Sequence, residues 1–434
     1  MKKIVYVPMA ADIIHPGHLN IIKEASKLGY VIVGLFTDKA IASYKRVPFM
    51  NYEQRKIIVE GLKGVDEVVP QDEKEYDNNL LKYKPHYLVH GDDWKDGPLA
   101  SSREKAIKLM ASWKGEVIEP KYTKNISSTQ INKSLKELGV LPQIRLASLR
   151  KILNTKPIIK GIEAHSGLSA MIVENASIKD KDGINQNFDV MWLSSLTDSS
   201  SKGKPDIEFV DLTSRISTVN DILEVSTKPI IYDGDTGSQI PHFAMMVKRL
   251  ERLGVSAVVI EDKMGLKKNS LLEGEAAKHT QDSIENFCEK IKAGKKARLT
   301  NDFMIIARIE SLILGVGMDD AIKRAKAYLE AGADGIMIHS RQKDGKEILD
   351  FCKLYNELEN RKFLMVVPTN YPSLSEDDLK EAGVNIIVYA NQLLRSAYSA
   401  MLETAQSILE HKRALEADKK YIKAIDLIAL IKEN

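Results

Sequence analysis

Pro229-Ile-Ile-Tyr-Asp-Gly-Asp-Thr-Gly237, answered further on by Ala257-Val-Val-Ile-Glu-Asp-Lys263, decides how this chain folds. Each segment is a short apolar run that ends abruptly in carboxylates. A run of that length reads as a strand buried on both faces. Working outward, the same unit recurs at Ile158–Ile162, Val190–Leu193, Ile305–Ile309, Gly335–Ile338, Leu364–Val367 and Ile386–Tyr389, with helical stretches between most of the runs. Together these make eight runs, and eight β/α units in ~280 residues have the count and size of a (β/α)8 barrel.

Barrel chemistry gathers at the C-terminal ends of the strands. Those ends carry Glu163 and His165, Trp192 and Ser194, Asp233 and Asp235, Glu261 and Lys263, Arg308 and Glu310, His339, Thr369 and Asn370, and Asn391. One polar strand end says little, because loops face water. Six ends in succession with chemistry-capable side chains point to a site. The Ser-rich stretch Ser194–Ser201 reads as a loop, mobile by its composition.

Upstream, strand-like and helical runs alternate at closer spacing: Ile4–Val7, Leu19–Leu28, Val31–Phe36, Tyr52–Leu62, Glu67–Val69, Tyr87–His90 and Glu116–Glu119. This alternation predicts a second, Rossmann-like α/β unit with a parallel sheet. A helical stretch at Gln130–Leu138, then Gly139 and Pro142, closes it. The expected organisation is a first domain over 1–140, a linker over 141–147 and the barrel with C-terminal helices over 148–434.

With 434 residues, two domains are the natural count. Lys plus Arg number 63 against 60 Asp plus Glu, a net charge of +3, and no long block of one sign is present. That argues against nucleic acid and membrane surfaces and for small anionic substrates. Two cysteines, Cys288 and Cys352, are too few for a disulfide framework or a zinc site. With no secretory core and no apolar run approaching ~18 residues, a cytoplasmic protein is expected.

Between the first strand and the first helix lies His15-Pro-Gly-His18. A helix N-terminus there offers free N–H groups and a positive dipole end to a phosphate, and two imidazoles can donate to phosphoryl oxygens. Together with Thr37-Asp38, Tyr52-Glu-Gln-Arg55-Lys56, Val65-Asp-Glu-Val68, Gly91-Asp-Asp-Trp94 and Ile126-Ser-Ser-Thr129, this turn makes residues 1–135 resemble the cytidylyltransferase branch of the nucleotidyltransferase superfamily. The resemblance implies attack of a phosphoryl or phosphonyl oxygen on the α-phosphate of CTP, with release of pyrophosphate. It implies that His15 and His18 stabilise the pentavalent transition state, that Lys45 or Arg46, with Arg55, holds phosphates, and that Ser127, Ser128 and Thr129 bind the triphosphate. Where the family opens its last motif with Arg, this chain has Tyr122, and Lys124 is the candidate replacement for that charge. Neither a Gly-x-Gly-x-x-Gly turn after the first strand nor a P-loop is present.

In the barrel, Asp233, Asp235 and Glu261 bring carboxylates to one rim, a hard-oxygen set suited to Mg²⁺ held partly through water. Arg308 and His339 follow on later strands as counter-charges for an anion. Over residues 148–400 the chain resembles phosphoenolpyruvate mutases of the isocitrate lyase and phosphoenolpyruvate mutase superfamily. The matching runs are Glu163-Ala-His-Ser-Gly-Leu-Ser169, Trp192-Leu-Ser194, Asp233-Gly-Asp-Thr-Gly237, Glu261-Asp-Lys263, Lys267-Lys-Asn-Ser270, Ala307-Arg-Ile-Glu310, Ala331-Gly-Ala-Asp334 and His339-Ser340.

This second resemblance implies interconversion of phosphoenolpyruvate and phosphonopyruvate. It assigns the family's essential aspartate to Asp206, the phosphoryl contacts of a gating loop to Lys267, Asn269 and Ser270, and a hold on the migrating group to Arg308 and His339. Trp192 and amides beside Ser194 would orient the pyruvate portion. Lyases of the superfamily carry a Cys in the gating loop, which Lys267-Lys-Asn-Ser270 lacks, and its hydrolases usually lack an Asn at the place of Asn269.

The two resemblances together imply a bifunctional enzyme of phosphonate biosynthesis, a fusion similar to the enzyme type that opens fosfomycin biosynthesis. Its expected partners are small molecules: phosphoenolpyruvate, CTP and a phosphonate. Alternatives are a phosphate ester such as glycerol 3-phosphate as CMP acceptor, or phosphonopyruvate hydrolase activity in the barrel. The resemblance of the barrel implies a dimer or tetramer, for which the amphipathic segments Ala397–Leu415 and Lys419–Ile431 are available.

Overall fold

The structure, a computed structural model of the chain, describes residues 2–95, 99–121, 140–265, 267, 269, 280–418 and 421–430. Five strands, β1 (Ile4–Met9), β2 (Tyr30–Phe36), β3 (Glu67–Gln71), β4 (Tyr87–Val89) and β5 (Glu116–Ile118), pair in parallel in the order β3-β2-β1-β4-β5. Val5 and Val7 pack on one face of the sheet with Val31 and Val33, while Tyr6 and Ile32 pack on the other. This is the period of two expected of strands covered by helices on both sides. The strand order reverses between β1 and β4, so a crevice lies beyond the C-terminal ends of those two strands. It receives His15 from β1 and the run His90–Trp94 from β4.

The second part is a closed barrel of β6 (Ile159–Glu163), β9 (Val190–Leu193), β10 (Ile230–Asp233), β11 (Ala257–Glu261), β12 (Met304–Ile309), β13 (Gly335–Ile338), β14 (Phe363–Val366) and β15 (Ile386–Tyr389). All eight expected apolar runs are barrel strands. Alternate residues face opposite ways: Ile231, Val259, Ile306 and Met365 fill the barrel, while Tyr232, Val258, Ile305 and Leu364 pack outward under the helices. Burying each such side chain contributes about 1.5–3 kcal/mol. A polar hairpin, β7 (Ser177–Lys179) with β8 (Asn185–Asn187), stands between β6 and β9. Its sequence has none of the apolar alternation that announces a strand.

Three expectations change. The stretch 141–147, read as linker, is mostly the start of a helix, Pro142–Thr155, because Pro142 at its first turn initiates helix and Leu146 and Leu149 bury against the barrel. The Ser-rich stretch is a helix, Ser195–Ser201, with Ser194 as N-cap; its buried Asp198 accepts from Thr218 at 2.7 Å and pairs with Lys202 and Arg215. The C-terminal helices are Gln392–His411 and Ala424–Leu430, and neither buries a residue. Gln130–Leu138 lies outside the described residues. No helix among them is long and apolar enough to cross a membrane.

Candidate active sites

Strand register assembles the rim of the barrel. Glu261 pairs with Arg308 across β11 and β12, so the Arg308 guanidinium stands 3.1 Å from Glu261 and donates to Glu310 at 2.5 Å. Lys263 reaches Glu310 at 2.8 Å and Glu261 at 3.4 Å. Neither oxygen of Glu261 accepts a hydrogen bond among the described residues. Burial raises its carboxyl to about 7, against the pull of Arg308 and Lys263.

On the adjoining arc, Asp233 accepts from Ser195 N and Oγ at 3.1 and 2.7 Å. Lys267 Nζ lies 2.7 Å from Asp235, 3.1 Å from Asp206 and 3.9 Å from Asp233, and also bonds Ser195. Asn269 donates to Asp206 at 2.6 Å. Burial alone would raise the Asp233 carboxyl, but Lys267, Arg215 and Arg308 draw it down to about 2. Three carboxylates thus share one buried ammonium.

These groups wall a cavity whose lining includes Trp192, Ser194, Asp206, Lys267, Arg308 and His339. Its volume is about 60 Å³, space for about four to six waters. Trp192 Nε1, His339 Nδ1 and Thr369 Oγ1 are buried without a hydrogen-bond partner among the described residues. Unpaired buried polar atoms cost about 1–3 kcal/mol each, so their collection around one cavity marks a place made for a polar ligand. Burial, then Arg308, lowers the His339 imidazole to about 3, so the ring is neutral at physiological pH.

No three of the described His, Cys, Asp and Glu residues lie close enough to hold a metal by themselves. The expected set of Asp233, Asp235 and Glu261 is therefore not a closed protein cage. The donors still fit Mg²⁺, which keeps several waters and uses one or two carboxylates. The orphaned oxygens of Glu261 and the cation already seated among Asp206, Asp233 and Asp235 are the observations behind that fit.

In the first domain, His15 caps the helix Pro16–Ser26. Gly17 N donates to His15 Nδ1 at 3.2 Å and His15 N donates to His18 Nδ1 at 3.3 Å. Both neutral rings therefore carry their proton on Nε2, and they stand 4.0 Å apart. Burial, then His15 and Lys45, lowers His18 to about 3. The Lys45 charge also acts on His90, and that of Asp93 on Lys45, and His90 stacks on Trp94 at 4.2 Å.

The two arginines differ from expectation. Arg55 is fully buried and donates to Ala10 O at 2.6 Å, Met50 O at 3.2 Å and Asp38 at 2.6 Å, so its fork is turned inward onto two carbonyls and a carboxylate. Arg46 pairs with Asp12 at 2.5 Å. Lys124, Ser127, Ser128, Thr129 and Ser270 lie outside the described residues. Ser195, Arg215, His90 and Asp93 join the sites without having been singled out as site residues. Ser195 was hidden in a stretch read as loop, and His90 and Asp93 were signalled by their place after β4.

Comparison with known proteins divides the chain likewise. Residues 149–409 match the family model described as phosphoenolpyruvate phosphomutase, and residues 10–134 match one described as cytidylyltransferase-like. A protein of Tetrahymena pyriformis named phosphoenolpyruvate phosphomutase is 34% identical over 291 residues, 67% of this chain and 92% of that protein. A crystal structure of phosphoenolpyruvate phosphomutase from Streptomyces platensis subsp. rosaceus is 33% identical with a TM-score of 0.61, covering 66% of this chain and 94% of that one. A structure of phosphonopyruvate hydrolase in complex with oxalate and Mg²⁺ is 32% identical with a TM-score of 0.58, covering 66% and 94%.

Proposed function

From residue 149 to residue 409 the chain belongs to the phosphoenolpyruvate phosphomutase family, and on that premise we propose a bifunctional enzyme of phosphonate biosynthesis. The barrel interconverts phosphoenolpyruvate and phosphonopyruvate, and the N-terminal domain transfers CMP from CTP to a phosphonate with release of pyrophosphate. The observation that carries the reading is the small cavity in which Trp192, His339 and Thr369 present unpaired polar atoms beside the Asp206, Asn269 and Lys267 cluster.

In the mutase step the phosphorus–oxygen bond breaks and a phosphorus–carbon bond forms at C3 of the same molecule. No atom enters or leaves, so water must be kept out. Arg308 supplies fixed positive charge to the migrating group, and neutral His339 supplies a polar ring beside it. Asp206, held by Asn269 and Lys267, faces the group from the other side. Trp192 and amides near Ser194 orient the carboxylate end, and Ser270 would join from the gating loop. Mg²⁺, when bound, would supply counter-charge to the enolate oxygen, and Asp233, Asp235 and Glu261 are the residues that would hold it. Asn269 favours the mutase over phosphonopyruvate hydrolase, since hydrolases of the family usually lack it.

In the first domain, the Nε2–H groups of His15 and His18 point the chemistry: neutral donors to oxygens of the α-phosphate, with Lys45 as counter-charge. Lys124, Ser127, Ser128 and Thr129 would complete the CTP site. The acceptor is a hydroxyethyl-, hydroxymethyl- or aminoethylphosphonate, with glycerol 3-phosphate the competing phosphate ester. The exposed apolar side chains of Tyr398, Met401 and Leu409 on the helix Gln392–His411 support a dimer or tetramer.

Asp206→Ala or Asp233→Ala should lower phosphonopyruvate turnover about 100- to 1,000-fold and leave CTP-dependent pyrophosphate release intact, and His18→Ala should do the reverse. Loss of both activities in one variant would sink the two-site reading. Screening acceptors with CTP by ³¹P spectroscopy identifies the CMP-linked product, and reaction of glycerol 3-phosphate alone would replace the phosphonate.

A further inference from the structure

The helix Pro142–Thr155 is bolted to the lower mouth of the barrel, where the strands begin. Leu149 is fully buried in the barrel interior. Arg145 donates to Ser226 O at 2.6 Å, Ser256 donates to Arg145 O at 2.8 Å, and Arg150 donates to Asn301 O at 2.7 Å. Each partner lies just outside the start of a barrel strand.

Lys151, on the same helix, reaches the other way. Its ammonium donates to the carbonyl of Phe49 at 2.5 Å, in the first domain. Phe49 belongs to the loop between Lys45 and Asn51, and that loop is gathered on Asp12: Phe49 N donates to it at 2.6 Å, Met50 N at 3.3 Å, and Arg46 pairs with it at 2.5 Å. The Arg46 guanidinium also covers the Phe49 ring at 4.5 Å. Phe49 remains 44% exposed, so polar links rather than apolar burial hold the loop. Asp12 and Asp38 face the Lys151 ammonium as attracting charges, and Arg46 and Arg55 as repelling ones.

The loop matters because it begins at Lys45, whose charge acts on His18 and His90 and is itself acted on by Asp93. A second contact steadies the arrangement: Ile184, in the turn of the β7–β8 hairpin, packs against the core of the first domain. The barrel's underside therefore meets that domain at two places.

We propose that Lys151 is a positioning residue of the N-terminal site, by which the barrel's closing helix holds the Lys45–Asn51 loop in the shape that presents Lys45 to the histidine pair. The barrel is then part of the nucleotide site's scaffold. This inference rests on the reading of that site as a CTP site. It adds that the site is incomplete without a residue of the barrel's own helix.

The test uses the full chain and CTP with Mg²⁺ as probe, with binding followed by calorimetry and mutase turnover assayed on the same preparations. Lys151→Met keeps the length of the side chain and removes the donor, and Lys151→Arg restores a donor. We expect CTP binding about 10- to 150-fold weaker in Lys151→Met, the size of a lost charged hydrogen bond, at least partial recovery in Lys151→Arg, and unchanged mutase turnover in both. CTP binding by Lys151→Met equal to wild type would overturn the inference while leaving the site's reading in place. Loss of mutase turnover together with CTP binding, with no recovery in Lys151→Arg, would reduce Lys151 to general packing and also overturn it. A wild-type chain that does not bind CTP would overturn the reading of the site itself.

Discussion

His339 and Glu261 stand on the same rim, and burial drives them in opposite directions. His339 falls to about 3 in the folded state, so between that value and the ordinary ~6.5 the unfolded chain binds the proton more readily. Its contribution to stability is therefore lost as pH falls below ~6.5, at a slope of up to about 1.4 kcal/mol per unit. Glu261 rises to about 7, so the folded chain takes up a proton first and gains stability as pH falls from 7 toward the ordinary carboxyl range. The two partly cancel in the wild type. His339→Asn should separate them: its stability by urea unfolding, without Mg²⁺, should decline less between pH 6.5 and pH 5 than that of the wild type. Equal declines would contradict a depressed His339. Residue type and position in the chain were enough to nominate both groups, but not to say which way a long side chain turns. Arg55 and Lys45 lie ten residues apart in the chain; one is bound to two backbone carbonyls and Asp38 and the charge of the other acts on His18 and His90, and that choice is made by packing.

At the scale of elements, the barrel strands were legible because a strand covered on both faces must be apolar throughout, and short apolar runs ending in polar residues have few other uses. The helix Ser195–Ser201 was not. Its composition is that of a loop, and it becomes a helix because Ser194 caps it and Asp198 finds Lys202 one turn on and Thr218 and Arg215 from a later helix. The β7–β8 hairpin escaped notice for a similar reason. Gly254 ties two elements together: it ends the helix Ile240–Leu253 in a left-handed conformation, φ +82°, and a Cβ there would lie 2.6 Å from Pro142 O. Gly254→Ala should therefore both strain the backbone and push on the closing helix, at a cost of about 1–3 kcal/mol. An unchanged denaturation midpoint would show that the helix Pro142–Thr155 is free to shift.

Taken whole, the molecule separates its two candidate sites by the height of the barrel. The cavity lies at the C-terminal ends of the strands, and the first domain meets the helix and hairpin at their N-terminal ends. Between them stands the filled barrel interior, Ile231, Val259, Ile306 and Met365 among its layers. A close-packed core with one arrangement supports position but offers no second state to relay a signal. Saturating the barrel with phosphoenolpyruvate and Mg²⁺ should accordingly change the affinity for CTP by less than about twofold, a coupling under about 0.4 kcal/mol. A larger change by calorimetry would require a moving element. The sequence by itself determined the α/β class of both units, the eight barrel strands and the identity of most candidate site residues, because apolar period and strand-end polarity are local properties of the chain. Only the tertiary structure decided that Lys267 sits among three carboxylates, that Arg55 turns inward, and that the helix Pro142–Thr155 reaches the loop at Phe49. Those depend on long side chains meeting partners far away in sequence, and the energies that choose between such partners exist only once the chain is packed.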